Sequence, residues 1–262
     1  IGTPTMGEVA GDWWREIMRA LFGSLDPVTG ARLIRGLFCL VPKKNAKTTN
    51  AAGLMLTALI MNKRPAAEML LTGPSQEISD KAFNTVRGMI NNDAVLLKRF
   101  HVANHIKTIT DRKNDALLKV KTFDEDIVTG AVVAAAAIDE IHLLGRNARA
   151  AWIIQQIRGG MVTIPEAFFA MITTQSFTPP AGVFRDEASD ALVRQVLRPF
   201  SHQIADAAKS ELRRDQVDAA FAEFRPLWDQ LSTRERTELL RSLIKTIEYD
   251  GKAGEVTLVF HP

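Results

Sequence analysis

The chain has 262 residues, of which 46% are hydrophobic and 24% are charged. These proportions are typical of a globular protein and exclude a disordered or collagen-like chain. The formal net charge of +3 is too small to indicate a nucleic-acid partner by itself. Cys39 is the only cysteine, which excludes an internal disulfide and a cysteine-based zinc site and favours a reducing compartment. The longest apolar stretch, residues 130–138, is too short to cross a bilayer.

The first 187 residues predict an alternation of helices and strands. Apolar residues at helical spacing predict a helix over residues 13–22, and a buried apolar run predicts a strand ending at Val41. Further elements are predicted at 48–61 (helix), 69–72 (strand), Ser75 to about 91 (helix), 105–110 and 116–123 (hairpin), and 132–138 and 167–172 (strands). This order predicts an α/β fold with a mostly parallel sheet flanked by helices.

After Pro179 and Pro180 the pattern changes to charged helical segments. Helices are predicted over 188–198 and 205–224, and a capping box at 232–235 opens another. Strand-like runs at 246–249 and 255–260 flank a glycine-containing turn and predict a hairpin. We therefore expect two domains, 1–187 and 188–262. Because the sequence starts at Ile1 instead of methionine, we also expect it to be trimmed or a fragment.

The segment VPKKNAKTT, residues 41–49, lies between a predicted strand and a predicted helix. In such a turn, backbone N–H groups and the helix N-terminus attract phosphate, while a lysine adds charge and a hydroxyl can bind magnesium. Lys47 and Thr48 fit the last two roles, and the rest of the candidate loop comprises Lys43, Lys44, Asn45, Ala46 and Thr49. Val41 and Ala46 stand where the common phosphate loop has glycine, so a basic surface turn is the alternative.

Polar residues also follow two predicted buried strands. Asp139 and Glu140 end the strand AAAAI, where one carboxylate can support a magnesium ion and the other can polarise an attacking water. Thr174 and Gln175, within Thr173–Ser176, end the next strand, where such groups can contact a γ-phosphate or its attacking water. A solvated acidic turn and an ordinary polar turn are the respective alternatives.

With these motifs in this order, residues 11–187 resemble the ATPase domain of the large terminase subunit of tailed bacteriophages. PKKNAKT resembles the divergent phosphate loop of that family, AAAAIDEIH its acidic strand, and ITTQS its coupling motif. The resemblance implies a P-loop NTPase fold in which Lys47 contacts the β- and γ-phosphates of ATP. It also implies that Thr48 and Asp139 organise Mg²⁺ and that Glu140 activates water. Thr174 and Gln175 would couple hydrolysis to DNA movement.

The resemblance also implies partners and a location. It implies double-stranded DNA, a portal and a small terminase subunit as partners, a ring of identical subunits, no membrane, and the cytoplasm of a bacterial host. The 75 residues after Glu187 are too few for the family's nuclease domain, so we expect no packaging-type nuclease activity. The alternative is a degenerate prophage remnant that binds nucleotide or DNA without turnover.

Residues 213–260 resemble the C-terminal end of large serine recombinases. This resemblance rests on FRPLWD (224–229), Glu235, Leu239 to Ile244 and YDG (249–251), and it excludes the catalytic serine domain of that family. It leaves open a DNA-interaction protein whose working part is the tail. The other interpretation, which we prefer, is a small helical interaction module joined to the ATPase domain.

Three further features have both a functional and an ordinary interpretation. His142 could relay between nucleotide and DNA, although a hydrogen-bonded loop histidine is the commoner case. Candidates for a transition-state cation are Arg146, Arg149 and Arg158, with solvated surface arginine as the default. Residues 98–121 contain seven Lys/Arg against two Asp, a local excess that fits either a phosphate backbone or a solvated hairpin.

Overall fold

The computed structural model describes residues 4–124 and 132–191, together with the backbone of 244–250 and 255–260. The chain divides into two compact units, residues 1–187 and 188–262. The tail helices predicted beyond residue 191 lie outside the described residues. No helix in the described part of the chain is both long and apolar enough to span a membrane.

The first unit opens with two helices. Helix α1 (Met6–Val9) is capped at its N-terminus by a capping box between Thr5 and Glu8. Helix α2 (Asp12–Gly23) buries Trp14 and Leu21. Trp14 is only 2% exposed and belongs to the apolar core. Trp14 therefore ties α2 to the core of the first unit.

A seven-stranded sheet forms the centre of the first unit. Its strands are β1 (Gly36–Leu40), β2 (Glu68–Gly73), β3 (Phe100–Ala103), β4 (Thr108–Asp111), β5 (Leu117–Thr122), β6 (Val133–Asp139) and β7 (Phe168–Thr173). The spatial order is β1-β7-β6-β2-β5-β4-β3. Strands β1, β7, β6, β2 and β5 pair in parallel, whereas β5, β4 and β3 pair antiparallel. The predicted α/β fold, a mostly parallel sheet flanked by helices, is confirmed.

The connections between the strands are mainly helical. They are α3 (Lys47–Met61), α4 (Gln76–Asn91), α5 (Ala94–Arg99), a 3₁₀ helix (Ile141–Arg146) and α6 (Ala150–Gly160). Further helical backbone covers residues 182–191. The sequence pattern predicts none of α1, β3, α5 and α6. Helix α5 is six residues long, and its cap is Asp93, whose carboxylate accepts hydrogen bonds from two backbone N–H groups of the first turn.

Strand β6 and helix α3 supply much of the core. All seven residues of β6 are buried, which suits a strand of alanines between two neighbouring strands and beneath packed helices. Helix α3 is buried along most of its length and packs against β2, β5, β6 and β7. Because both elements are held so firmly, the groups at their ends occupy fixed positions.

We define the carboxyl edge of the sheet as the edge at which the parallel strands end, and the amino edge as the one at which they begin. Strand β7 lies between β1 and β6, with Leu40 paired to Thr173 and Ile172 paired to Asp139. The candidate loop, the acidic pair and the polar strand end therefore follow three adjacent strands at the carboxyl edge. Open α/β sheets bind ligands at this edge.

The second unit contains a two-stranded antiparallel sheet of β8 (Ile244–Asp250) and β9 (Glu255–Phe260). This pairing confirms the hairpin predicted at the C-terminus. The assignment of the two units as an ATPase domain and a recombinase-like tail stays a prediction of the sequence.

Candidate active site

The loop between β1 and α3 ends in backbone that exposes helix N–H groups. Ala46 has φ +50° and Lys44 has φ +69°, both in the left-handed region, and α3 begins at Lys47. No side chain caps the N-terminus of α3, and its first turn carries no acidic residue. By contrast, α4 is capped by Ser75, whose hydroxyl accepts from the Ile78 N–H at 3.3 Å. The α3 N-terminus is therefore suited to an anion.

Lys47 points into the protein. Its side chain is 7% exposed, and Nζ lies 3.7 Å from Oε1 of Glu140. The predicted phosphate-binding lysine and the predicted water-activating carboxylate are thus neighbours. A buried lysine without a negative partner would be strongly destabilising, so Glu140 supplies the counter-charge in this arrangement.

Asp139 is a buried carboxylate that lacks hydrogen bonds. Its side chain is 0% exposed, and neither oxygen meets the geometry of a hydrogen bond with any described group. Burial raises the pKa of Asp139, and the charge of Glu140 adds to this rise. The Thr48 side chain approaches closely enough to lower that pKa, as does the charge of Lys47.

Thr48 and Asp139 fit the magnesium ion that the sequence predicts. Mg²⁺ in nucleotide sites takes one or two protein oxygens and completes its shell with phosphate oxygens and water. Two such oxygens, a buried carboxylate without hydrogen bonds and a nearby hydroxyl, are what these residues offer. Among the described residues no group of three or more His, Cys, Asp or Glu could hold a metal alone. The site therefore suits a metal ion whose other ligands are phosphate oxygens and water.

Glu140 occupies an unusual backbone conformation. Its φ of +58° is uncommon for a residue with a side chain, and its N–H donates to the Ile172 carbonyl at 2.8 Å. This bond ties Glu140 to β7. The carboxylate oxygen Oε2 is buried and makes no hydrogen bond, although it lies 3.2 Å from Nδ1 of His142. The contact between His142 and Glu140 is therefore a close polar contact whose geometry falls short of a hydrogen bond.

His142 and Thr173 form a contact that the sequence pattern does not predict. The His142 backbone N–H donates to Thr173 Oγ1 at 3.2 Å, and His142 Nδ1 lies 3.0 Å from the same oxygen. Thr173 is fully buried. Burial lowers the pKa of His142, and the charges of Lys47 and Lys43 lower it further, which favours the neutral ring. The available signal was a histidine two residues after Glu140, which does not identify its partner.

The remaining predicted site residues lie less directly in the centre. Lys43 is exposed and its Nζ lies 4.1 Å from the ring centroid of Phe177, a side chain that is 92% exposed. Lys44, Asn45 and Ala46 are exposed, and Asn45 donates to the Pro42 carbonyl at 3.2 Å. Thr49 is half-buried, Thr174 is buried, and Gln175 is exposed. The structure thus brings together Lys47, Thr48, Asp139 and Glu140 most closely.

Several basic residues are already paired with acids. Arg158 makes two hydrogen bonds to Glu187, at 2.8 and 2.6 Å, whereas Arg146 is exposed. Within residues 98–121, ion pairs join Arg99 to Asp111, Lys107 to Asp80, and Lys119 to Glu68. These contacts reduce the basic excess that the sequence suggests for this segment.

The family model described as "Terminase large subunit, ATPase domain" matches residues 12–187. The chain belongs to this family. The fold of this terminase ATPase domain resembles that of the HK97 bacteriophage large terminase, with 17% identity and a TM-score of 0.60 over 74% of this chain and 38% of that one. The chain thus spans well under half of the HK97 protein. A comparison with curated protein sequences finds no match.

Two further solved structures are similar to this chain. The large terminase of a thermophilic bacteriophage, solved in complex with ADP, shows 15% identity and a TM-score of 0.46, covering 62% of this chain and 38% of that one. The ATPase domain of the large terminase from a Thermus phage shows 14% identity and a TM-score of 0.43, covering 55% of this chain and 61% of that one. No comparison supports the resemblance of residues 213–260 to large serine recombinases.

Proposed function

We propose that residues 12–187 bind ATP with Mg²⁺ at the carboxyl edge of the sheet and hydrolyse it to drive DNA packaging. The observation that carries the proposal is Asp139, a fully buried carboxylate without hydrogen bonds at the end of β6. It lies near Thr48 in the first turn of α3, whose N-terminus has no side-chain cap. A nucleotide with its metal would satisfy all of these groups.

Each residue of the centre has a role that matches its chemistry. Lys47 and the free N–H groups of α3 bind the phosphates. Thr48 and Asp139 hold Mg²⁺, which when bound supplies positive charge that stabilises the transferring phosphoryl group. Glu140 accepts a proton from the attacking water. Thr174 and Gln175, after β7, are placed to transmit the nucleotide state to the segment that follows.

The contact between Lys47 and Glu140 adds a consequence for nucleotide binding. Glu140 is the counter-charge of Lys47 in the described structure, at 3.7 Å. Phosphate oxygens would compete for Lys47, because they carry more negative charge than one carboxylate. Nucleotide binding would then release the Glu140 carboxylate to interact with water.

The partners belong to the same proposal. Family membership supports double-stranded DNA, a portal and a small terminase subunit as partners, a ring of identical subunits, and a place in the cytoplasm of a bacterial host. Three cations, Lys98, Arg112 and Lys113, are exposed. They lie in one region, because the Arg112 N–H donates to the carbonyl of Arg99, the neighbour of Lys98. We propose that they contact the phosphate backbone of DNA, which exposed cations bind without sequence preference.

The test is nucleotide binding and turnover by the purified chain with two substitutions. Lys47→Ala should weaken binding of an ATP analogue at least about tenfold, because it removes the buried cation. Glu140→Gln should retain binding and lose about 10²–10³-fold in kcat, since the amide cannot accept the proton. Lys63→Ala and Glu77→Gln alter exposed residues outside the candidate loop and serve as matched controls.

The outcomes separate the proposal from its alternatives. Turnover by the wild type, with the two losses above, supports a working ATPase. Nucleotide binding without turnover would support the degenerate remnant. Absence of Mg²⁺-dependent nucleotide binding by the wild type would overturn the proposal.

A further inference from the structure

The imidazole of His142 is fixed on several sides. Its Nδ1 and its backbone N–H both meet Thr173 Oγ1, at 3.0 and 3.2 Å. Its ring packs edge-to-face against Phe184, with 6.2 Å between the ring centroids. Thr173 is the last residue of β7 and is fully buried. The ring therefore has a defined position relative to the end of that strand.

One nitrogen of the His142 ring lies close to the oxygens of two residues, Glu140 after β6 and Thr173 at the end of β7. Nδ1 lies 3.0 Å from Thr173 Oγ1 and 3.2 Å from Glu140 Oε2. A ring nitrogen carries at most one proton, so Nδ1 serves both oxygens only by placing that one N–H between them. The Thr173 hydroxyl is also a donor to the Thr174 carbonyl, at 3.3 Å. When the Thr173 hydroxyl donates to the Thr174 carbonyl, it can only accept from His142. The proton of the bond between the two side chains must then be on Nδ1.

Glu140 depends on this ring for support. Among the described residues, the side-chain nitrogens that make ion-pair contacts with its carboxylate belong to Lys47 and His142. If nucleotide draws Lys47 toward phosphate, His142 is the neighbour that remains. The left-handed backbone of Glu140 adds to this dependence, since strained positions persist only where surrounding contacts hold them.

We propose that His142 is a positioning residue for Glu140 and that Thr173 holds it in place. The pair links the carboxylate that activates water to the end of β7, the strand that leads into Thr174 and Gln175. This inference rests on the proposed ATPase function and adds two residues to it. Loss of the pair slows hydrolysis and leaves nucleotide affinity almost unchanged, because neither residue is part of the phosphate or metal site.

The test uses four substitutions that separate shape from hydrogen bonding. His142→Phe keeps the ring against Phe184 and removes both nitrogens, whereas His142→Asn keeps a polar group near Nδ1. Thr173→Val keeps the shape and removes the hydroxyl, whereas Thr173→Ser keeps the hydroxyl. His142→Phe and Thr173→Val should each lower kcat about 10–100-fold, with the Kd of an ATP analogue within about threefold of wild type. His142→Asn and Thr173→Ser should recover most of the kcat.

The double variant His142→Phe/Thr173→Val should be no slower than the slower single variant, because the two residues act as one unit. Thermal unfolding identifies any variant that does not fold. If a His142 variant does not fold, the nearly isosteric Thr173→Val still tests whether the pair is needed for hydrolysis. Unchanged kcat in both His142→Phe and Thr173→Val, with a turning-over wild type, would overturn this inference alone. Additive losses, or equal losses of kcat and affinity, would also overturn it. A wild type without turnover would overturn the proposed function and this inference together.

Discussion

Asp111 and Asp139 lie at opposite edges of the sheet and are both 0% exposed, yet they differ in their hydrogen bonds. At the amino edge, Asp111 accepts hydrogen bonds from the Arg99 guanidinium at 2.6–3.1 Å and from the Lys113 backbone N–H at 3.0 Å. At the carboxyl edge, Asp139 accepts none from the described groups. All buried side-chain N and O atoms without a partner in the described part of the chain belong to Thr72, Asp139 and Glu140, at or next to the carboxyl edge.

This difference separates groups that stabilise the fold from groups that await a ligand. Burial acts to raise the pKa of Asp111, but the hydrogen bonds of Arg99 and of the Lys113 N–H outweigh it, and the pKa lies below its ordinary value of 3.8. At Asp139 burial dominates and the pKa is raised. The fold thus favours the ionised form of Asp111, whereas it disfavours the ionised form of Asp139 when no further cation is bound.

The same substitution at the two aspartates should have different effects on stability, destabilising at Asp111 only. Asp111→Asn should lower the free energy of unfolding by about 3 kcal/mol, because removal of one partner leaves Arg99 without its counter-charge. Chemical denaturation at pH 7 measures this change. As a control, Glu166→Gln removes an exposed partner of Arg64 and should change stability by less than about 1 kcal/mol.

The effect at Asp111 should also depend on pH. Because the folded-state pKa is lowered, the stabilisation by ionised Asp111 is fully present above 3.8 and is lost as the pH falls through the folded-state value. The difference between wild type and Asp111→Asn should therefore shrink as the pH is lowered below about 4. A difference that stays constant would mean that the ion pair contributes nothing.

Asp139→Asn should leave the nucleotide-free protein as stable as wild type or stabilise it by about 1 kcal/mol. An amide is less costly to bury than an unpaired carboxylate, so the substitution removes a destabilising charge. The same denaturation experiment measures the change. A loss as large as that at Asp111 would show that Asp139 stabilises the fold, and the comparison between the edges would fail.

The smallest expected effect concerns two alanines with φ +50°, Ala46 at the carboxyl edge and Ala66 in the connection between α3 and β2. Glycine adopts this conformation without the steric penalty of a Cβ, so each Ala→Gly substitution should stabilise the protein by about 1 kcal/mol. Only Ala46→Gly should also strengthen ATP binding, because it removes a Cβ from the phosphate loop. Equal effects of both substitutions on nucleotide affinity would contradict this assignment.

The sequence was sufficient to predict the main strands and the ends at which the chemistry lies. Buried apolar runs followed by Lys47, Asp139 or Thr174 are local patterns, and the parallel sheet brings their ends to one edge. The contact of His142 with Thr173 depends on the pairing of β6 with β7, which no local pattern specifies. Arg99 and Asp111 also meet through tertiary packing, because the pairing of β3 with β4 sets Phe100, the neighbour of Arg99, opposite Asp111.

The short elements were the hardest to predict. Strand β3 has four residues and α5 has six, so neither displays enough of a hydrophobic period to be distinguished from a loop. Helix α6 is longer, but its apolar residues precede Gly159 and Gly160, which are atypical of a helix interior. None of these elements contributes Lys47, Thr48, Asp139 or Glu140, so the functional prediction does not depend on them.

The most direct test of the central claim is the thermal unfolding of wild type and Asp139→Asn with and without Mg²⁺ and ATPγS. Ligand at about 100 times its Kd stabilises the folded state by about 2.7 kcal/mol, which should raise the unfolding temperature of the wild type by roughly 5–10 °C. The rise should be much smaller for Asp139→Asn and when EDTA replaces Mg²⁺. An unchanged unfolding temperature for the wild type, or an equal rise for Asp139→Asn, would contradict the claim that the carboxyl edge is completed by nucleotide and metal.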